Sequence, residues 1–356
     1  LLRSYLVAFL LALGVSALLT PLVLSAARRL RLFDAPDGER KIHVVATPRL
    51  GGIAIAVGFF APIVGLVFYT NKFALELQSD LVRLVLFLGG GVAILLLGLV
   101  DDIKGVGAWG KLTVQTGVGV ALWYGGLSFD HMVIFGYDLS FGALSLPLTI
   151  IWVAGIINAM NLIDGLDGLA AGVAFFAAFS LFTISVLDGN AMLALFAAAL
   201  AGSVLGFLLY NFNPALIFMG DSGSMTIGYI FAACALWNAG KRSTALSLAL
   251  PVVALGLPIF DTLFAFGRRA LRGQSPFESD RGHIHHRLVD FGLTHRQAVL
   301  LLYLCCVLTA ATVLIRATED AMYGYALAAL VIGTGIAIRA IRSRLRPPST
   351  IDEAEQ

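Results

Sequence analysis

Charge is what this sequence has least of. Asp, Glu, Lys and Arg make up 13% of its 356 residues, about half the roughly 25% that a soluble domain carries. Together with 59% hydrophobic residues and a mean hydropathy of +0.89, that shortage excludes an ordinary soluble chain and predicts a polytopic membrane protein. Cysteine is scarce too. Cys234, Cys305 and Cys306 lie in apolar runs with no CxxC pair and no metal-ligand spacing, which argues against a disulfide framework and for buried thiols. There is no internal repeat, no low-complexity linker and no small-residue cleavage pattern after the apolar stretch Leu1 to Leu24. That stretch therefore reads as a first helix and not as a removed signal. Residues 1–346 read as a single transmembrane domain and 347–356 as a disordered cytoplasmic tail.

Long apolar runs are abundant. Windows of about 20 apolar residues fall at 5–25, 51–70, 82–100, 112–127, 144–162, 168–187, 191–210, 222–239, 244–266, 297–316 and 321–341. The expected fold is all-α, with about eleven transmembrane helices. Eighteen of the 24 Lys and Arg residues fall on one set of connections and the carboxyl tail, and six on the other. Positive charge marks the cytoplasmic side, so the amino end is expected outside and the carboxyl end in the cytoplasm. Every unusual polar motif then lies on the cytoplasmic side. A transporter with a cytoplasmic acidic vestibule is the alternative from another class, but it would be expected to show repeated halves and polar residues near the midplane. The sequence offers neither.

The stretch from Asn158 to Leu169 (NAMNLIDGLDGL) puts two amides, two acids and two glycines where one apolar run gives way to the next. A carboxylate at a bilayer centre costs roughly 2.5–3.5 kcal/mol on insertion scales, so these acids need a task or a partner. Asn161, Asp164 and Asp167 recur every third residue and share one side of a helix, loosely. The adjacent acids Asp101 and Asp102 end a Gly/Leu run, with Lys111 opening the next span, and their mutual repulsion calls for a nearby cation. Asn211 to Pro214 and Phe218 to Ser224 form a polar re-entry in which Asp221 can double as a helix N-cap, as can Ser222. Hard carboxylate oxygens with room for phosphate suit Mg2+ at Asp221. Arg281-Gly282-His283-Ile284-His285-His286-Arg287 lacks the partners of a closed zinc site and suits phosphate recognition by Arg forks and imidazoles. A basic loop on anionic head groups would explain the arginines but not three histidines. Lys41 and His43 are weaker candidates for substrate contact, and Asp261 is an acid within a span end without an assigned role.

Taken together and in this order, PRLGG at Pro48–Gly52, Asp101-Asp102, NLIDGLDGL, FMGDSGS at Phe218–Ser224, Ser275-Pro276-Phe277 and the HIHH run resemble the polyprenyl-phosphate N-acetylhexosamine-1-phosphate transferases, in their WecA/TagO-like branch. The resemblance covers nearly the whole chain up to about Leu345. It implies a multi-pass enzyme of the bacterial inner membrane, with its active site in a cleft on the cytoplasmic face. Its reaction would transfer GlcNAc-1-phosphate from UDP-GlcNAc to undecaprenyl phosphate, with Mg2+ (or Mn2+ in its place) as cofactor and UMP as product. The branch that transfers phospho-MurNAc-pentapeptide is the alternative within the class. By analogy with the family's motifs, Asp221 and Asp102 hold the metal, and Asp101 and Asp102 position or deprotonate the acceptor. Asn161, Asp164, Asp167, Asn211 and Phe218 then meet the nucleotide, with the Phe218 ring stacked on uracil. Lys111, Arg281, His283, His285 and His286 meet phosphate or sugar. The implied partners are those two substrates and membrane lipid, with no nucleic acid. A homodimer is compatible with apolar faces that lipid would satisfy equally well.

Overall fold

A computed structural model describes residues 1–30, 33–34, 47–68, 72–134, 137–239, 288, 290 and 292–318. Within them the chain is mostly helical: α1 (Leu2–Arg29), α2 (Gly52–Val67), α3 (Lys72–Ser79), α4 (Leu81–Lys104), α5 (Ala108–Tyr124), α6 (Ser145–Ile163), α7 (Leu169–Leu187), α8 (Ala191–Asn211), α9 (Gly220–Ala239) and α10 (His295–Thr318). Nine of these fall on nine of the eleven expected spans. The other two windows, 244–266 and 321–341, lie outside the described residues. Five of the helices are long and apolar enough to cross a membrane by length and composition: α1, α4, α6 with its preceding turn, α7 and α8. The chain is a membrane protein of helical architecture.

The connection before α4 contains a further short helix, α3. The all-α expectation needs correction at two short antiparallel pairs. The connection between α5 and α6 folds into an antiparallel hairpin, β3 (His131–Ile134) against β4 (Tyr137–Ser140). A two-residue pair joins β1 (Phe33–Asp34) to β2 (Thr47–Pro48).

Local chemistry starts and stops the helices. The Asp80 carboxylate accepts the Arg83 N–H at 3.1 Å and the Asn190 side chain accepts the Leu193 N–H at 3.1 Å, capping α4 and α8. Gly105, at φ 71°, ends α4, and Gly168, at φ 75°, precedes α7.

Contiguous contact among Leu1–Cys306 makes one compact unit, and Val307–Gln356 makes a second. In the first unit α9 runs against α2, α4, α6 and α8, and from Ser222 to Trp237 every one of its side chains is buried. A helix buried all round belongs at the centre of a bundle. Around it, Phe87 stacks on Phe196 with ring centroids 5.1 Å apart, and the Tyr229 hydroxyl donates to the Phe87 carbonyl at 2.6 Å. The approach of α4 to α9 depends on missing side chains: a Cβ on Gly98 would overlap the backbone of Ser222, and one on Gly90 would meet the Tyr229 hydroxyl. By contrast α1 leaves Leu6, Val7, Leu10, Leu18 and Leu22 exposed, as a lipid-facing helix does.

Candidate active site

The site residues gather because α4, α6 and α8 end where α5, α7 and α9 begin. Asp101 and Asp102 sit in the last turn of α4. The turn through Gly105 is held by the Val106 N–H, which donates to Asp101 Oδ1 at 2.6 Å. It returns the chain so that Lys111, in the first turn of α5, faces the acids. Lys111 Nζ lies 2.5 Å from Asp101 Oδ2 and 2.5 Å from Asp221 Oδ2. One ammonium thus bridges carboxylates from two different helices. Charge-assisted bonds of this kind are the strong ones in a partly buried setting.

Asp102 has a different partner. Its Oδ1 accepts the Asp221 N–H at 2.7 Å and its Oδ2 accepts the Ser222 N–H at 3.1 Å. An anion at a helix N-terminus satisfies exposed N–H groups and the positive end of the dipole. Asp221 was expected to double as the cap of its own helix. Asp102 supplies that cap instead, and the Asp221 carboxylate meets Lys111, Asp101 and Asn161. Ser222, the other candidate cap, donates its hydroxyl to the Met219 carbonyl at 3.3 Å. The fit is tight: Gly220 has φ 69°, and a Cβ there would stand 2.5 Å from Asp102 Oδ2.

The turn after α6 brings the next acids to the same end. Asn161 donates from Nδ2 to the Ser224 hydroxyl at 2.9 Å, tying α6 to α9. Burial, reinforced by the carboxylates of Asp221 and Asp102 and opposed by Arg49, pushes the Asp164 carboxyl up to about 8. Asp167 is buried, and its Oδ2 accepts Asn213 Nδ2 at 2.9 Å and the Ala215 N–H at 3.1 Å. Asn211, also buried, accepts the Gly168 N–H at 3.2 Å and donates to the Ile217 carbonyl at 2.9 Å. Asn211 and Asp167 therefore brace the loop after α8 against the loop before α7. The PRLGG loop lies alongside. Phe218 N–H donates to the Pro48 carbonyl at 2.9 Å, and Gly51 and Gly52 donate to the carbonyls of Phe218 and Met219 at 3.0 and 2.9 Å. A Cβ on Gly52 would run into the backbone of Ser222 and Gly223, so the loop packs directly against the first turn of α9.

Of the expected site residues, Asp101, Asp102, Lys111, Asn161, Asp164 and Asp221 are thus brought together, with Asp167, Asn211 and Phe218 in the adjoining loops. Arg281, His283, His285 and His286 lie outside the described residues, as do Lys41, His43, Asp261 and Ser275-Pro276-Phe277. Among the described residues, no three His, Cys, Asp or Glu side chains form a ready-made metal cage.

Several participants escape a reading of motifs. Gln115, fully buried one turn beyond Lys111, accepts from Asn158 Nδ2 at 2.7 Å. Arg296 Nε, at the start of α10, donates at 2.9 Å to the carbonyl oxygen of the Asn213 amide that binds Asp167. Tyr303 donates its hydroxyl to the Gly168 carbonyl. The signal for Gln115 is a polar residue in an apolar helix, four positions after a lysine. Arg296 and Tyr303 carry no comparable local signal.

The sequence profile described as Glycosyl transferase family 4 matches residues 84–239, the span that contains every described acid of the site. A Bacillus subtilis (strain 168) protein named probable undecaprenyl-phosphate N-acetylglucosaminyl 1-phosphate transferase is 36% identical over 300 residues, covering 84% of this chain and 81% of the relative. The decaprenyl-phosphate N-acetylglucosaminephosphotransferase of Mycobacterium tuberculosis (strain H37Rv) is 36% identical over 291 residues, 75% of this chain and 71% of its own. The undecaprenyl-phosphate alpha-N-acetylglucosaminyl 1-phosphate transferase of Escherichia coli (strain K12) is 30% identical over 291 residues, 80% and 76% of the two chains. With likeness of this extent spanning both the helices and the acidic end of the bundle, the chain belongs to the polyprenyl-phosphate N-acetylhexosamine-1-phosphate transferase family.

Proposed function

We propose that this enzyme transfers N-acetylglucosamine-1-phosphate from UDP-GlcNAc to undecaprenyl phosphate, releasing UMP and leaving the lipid-linked sugar that begins an envelope polysaccharide. The observation that carries the reading is the bridge of Asp101, Lys111 and Asp221 at one end of a membrane bundle, beside the loops of Asp164, Asp167 and Phe218. Relatives named for this reaction support the choice of donor and acceptor. The bias of Lys and Arg toward the connections at that end supports a site on the cytoplasmic face of the inner membrane, where a water-soluble nucleotide and a lipid phosphate can meet.

In the reaction an oxygen of the lipid phosphate attacks the sugar-bearing phosphorus of UDP-GlcNAc. The bond from that phosphorus to the bridging oxygen breaks, and UMP leaves with the electron pair. The nucleophile is already an anion near neutral pH, so it needs orientation and charge screening more than a strong base. Direct attack is favoured over a phosphoryl-aspartate, which adds a step without evident need. Asp101 orients the acceptor, and Lys111 offsets its charge. Asp167 and Asn211 hold the loops that receive the uridine, with Phe218 offering its ring. Arg281, His283, His285 and His286 are assigned to the diphosphate and sugar.

The site fits a divalent cation by the chemistry of its donors: Asp101, Asp102, Asp164 and Asp221 bring hard carboxylate oxygens to one end of the bundle. Asp221 would hold Mg2+ with Asp102 beside it, although both Asp102 oxygens also serve α9. When bound, the ion would neutralise the diphosphate and the leaving UMP. The test is UMP release by purified protein given UDP-GlcNAc, undecaprenyl phosphate and Mg2+. Release that requires all three is expected, and no release with any UDP-hexosamine would overturn the reading.

A further inference from the structure

Lys111 stands where an arriving cation would need to be. Its ammonium touches both Asp101 Oδ2 and Asp221 Oδ2 at 2.5 Å, and its side chain is only 20% exposed. The two carboxylates differ in how they are anchored. Asp101 is fixed by the Val106 N–H on its other oxygen, whereas the Asp221 carboxylate accepts from Lys111 and otherwise meets only side chains, those of Asp101 and Asn161. A divalent ion binds carboxylate oxygen at about 2.0–2.6 Å, which is the space the ammonium fills. Two cations cannot share one oxygen at that range without strong repulsion in a partly desolvated site. A lysine ammonium is a compact charge on a flexible four-carbon stem, so it can move while Asp101 serves as its pivot.

We propose that Lys111 is an internal counter-ion that holds the place of the metal. A divalent cation arriving at Asp221 displaces the ammonium, which stays tethered to Asp101 and becomes available to an anionic phosphate. The metal therefore binds before the diphosphate is gripped, and the lysine hand-over couples the two events. This rests on the assignment of Asp221 to the cation.

The exchange is tested without substrate, by electron paramagnetic resonance of Mn2+ added to the purified protein. Lys111→Met removes the competitor and is expected to tighten Mn2+ binding by about tenfold, or 1.4 kcal/mol. Lys111→Arg keeps the charge and is expected to stay near wild type. Binding by Lys111→Met no tighter than wild type overturns the proposal, as does an absence of Mn2+ binding in both proteins. If the Met variant does not fold, reductive methylation of wild type answers the same question. Labelling of Lys111, read by mass spectrometry, should rise when Mn2+ is added, and unchanged labelling overturns the exchange. A wild-type protein that binds Mn2+ by this exchange yet releases no UMP would defeat the transferase reading while leaving the hand-over intact.

Discussion

The Asp102 carboxylate of α4 and the backbone N–H of Asp221 in α9 meet at 2.7 Å, although 119 positions separate them in the chain. An acid in the last turn of a helix opposes the dipole of that helix. Here the N-terminus of a second helix more than offsets the conflict, because it offers two N–H donors to one carboxylate. The contact sets α9 at a fixed height against α4 and so fixes where Asp221 stands.

Asp102→Ala should leave the Asp221 and Ser222 N–H groups without their acceptor and destabilise the protein by about 1–3 kcal/mol. Asp102→Asn should lose less, since one amide oxygen can still accept while the amide nitrogen faces a donor. Thermal unfolding in detergent, run alongside UMP release, checks the order wild type, Asn, Ala.

Asp221→Asn is expected to abolish UMP release while leaving the protein folded in the membrane. The substitution removes the charge that meets Lys111 but not the α9 backbone that Asp102 binds. A monodisperse size-exclusion profile with no turnover is the expected pair of results. Near-normal turnover would remove Asp221 from the chemistry.

Two glycines of the same helix should respond in opposite ways. A Cβ on Gly98 overlaps the Ser222 backbone, whereas one on Gly89 meets nothing within 4 Å. Gly98→Ala should push α4 off α9 and destabilise by about 1–3 kcal/mol or more. Gly89→Ala should be neutral or stabilising by up to about 1 kcal/mol, through helix propensity. Unfolding midpoints of the two variants compared with wild type check the contrast.

Gln115→Leu should leave Asn158 Nδ2 with only its bond to the Ala154 carbonyl, itself 2.7 Å long. The expected loss is about 1–3 kcal/mol, together with slower turnover because the turn below Lys111 loses its tie to α6. Adding Asn158→Leu removes both partners, so the double variant should be less destabilised than the sum of the singles. Strict additivity would mean the pair does not couple.

Apolar runs alone located the described spans because a bilayer leaves the chain few options besides helices, and the acidic motifs pointed to the carboxylates that gather at one end of the bundle. What composition could not show was pairing across long chain distances. Asp221 looked like the cap of α9 because it opens that helix, and nothing local points to Asp102 as the true partner. The hairpin of His131–Ile134 with Tyr137–Ser140 was missed because four-residue strands outside the apolar windows carry little periodicity. Helix α3 escapes a search for apolar spans because it has eight residues and includes Lys72 and Glu76. Arg296 and Tyr303 reach the site from the start of α10, and only the packing of that helix against the Gly168 and Asn213 loops reveals it.

The helix that bears Asp221 is wrapped by its neighbours from Ser222 to Trp237, while α1 shows its leucines to the surroundings. Fluctuations of bilayer thickness and changes of acyl-chain length therefore press on the outer helices and reach α9 only second-hand. The helix that carries Asp221 is insulated from the surrounding membrane, so turnover should follow the concentration of the lipid phosphate far more closely than the character of the lipids around it.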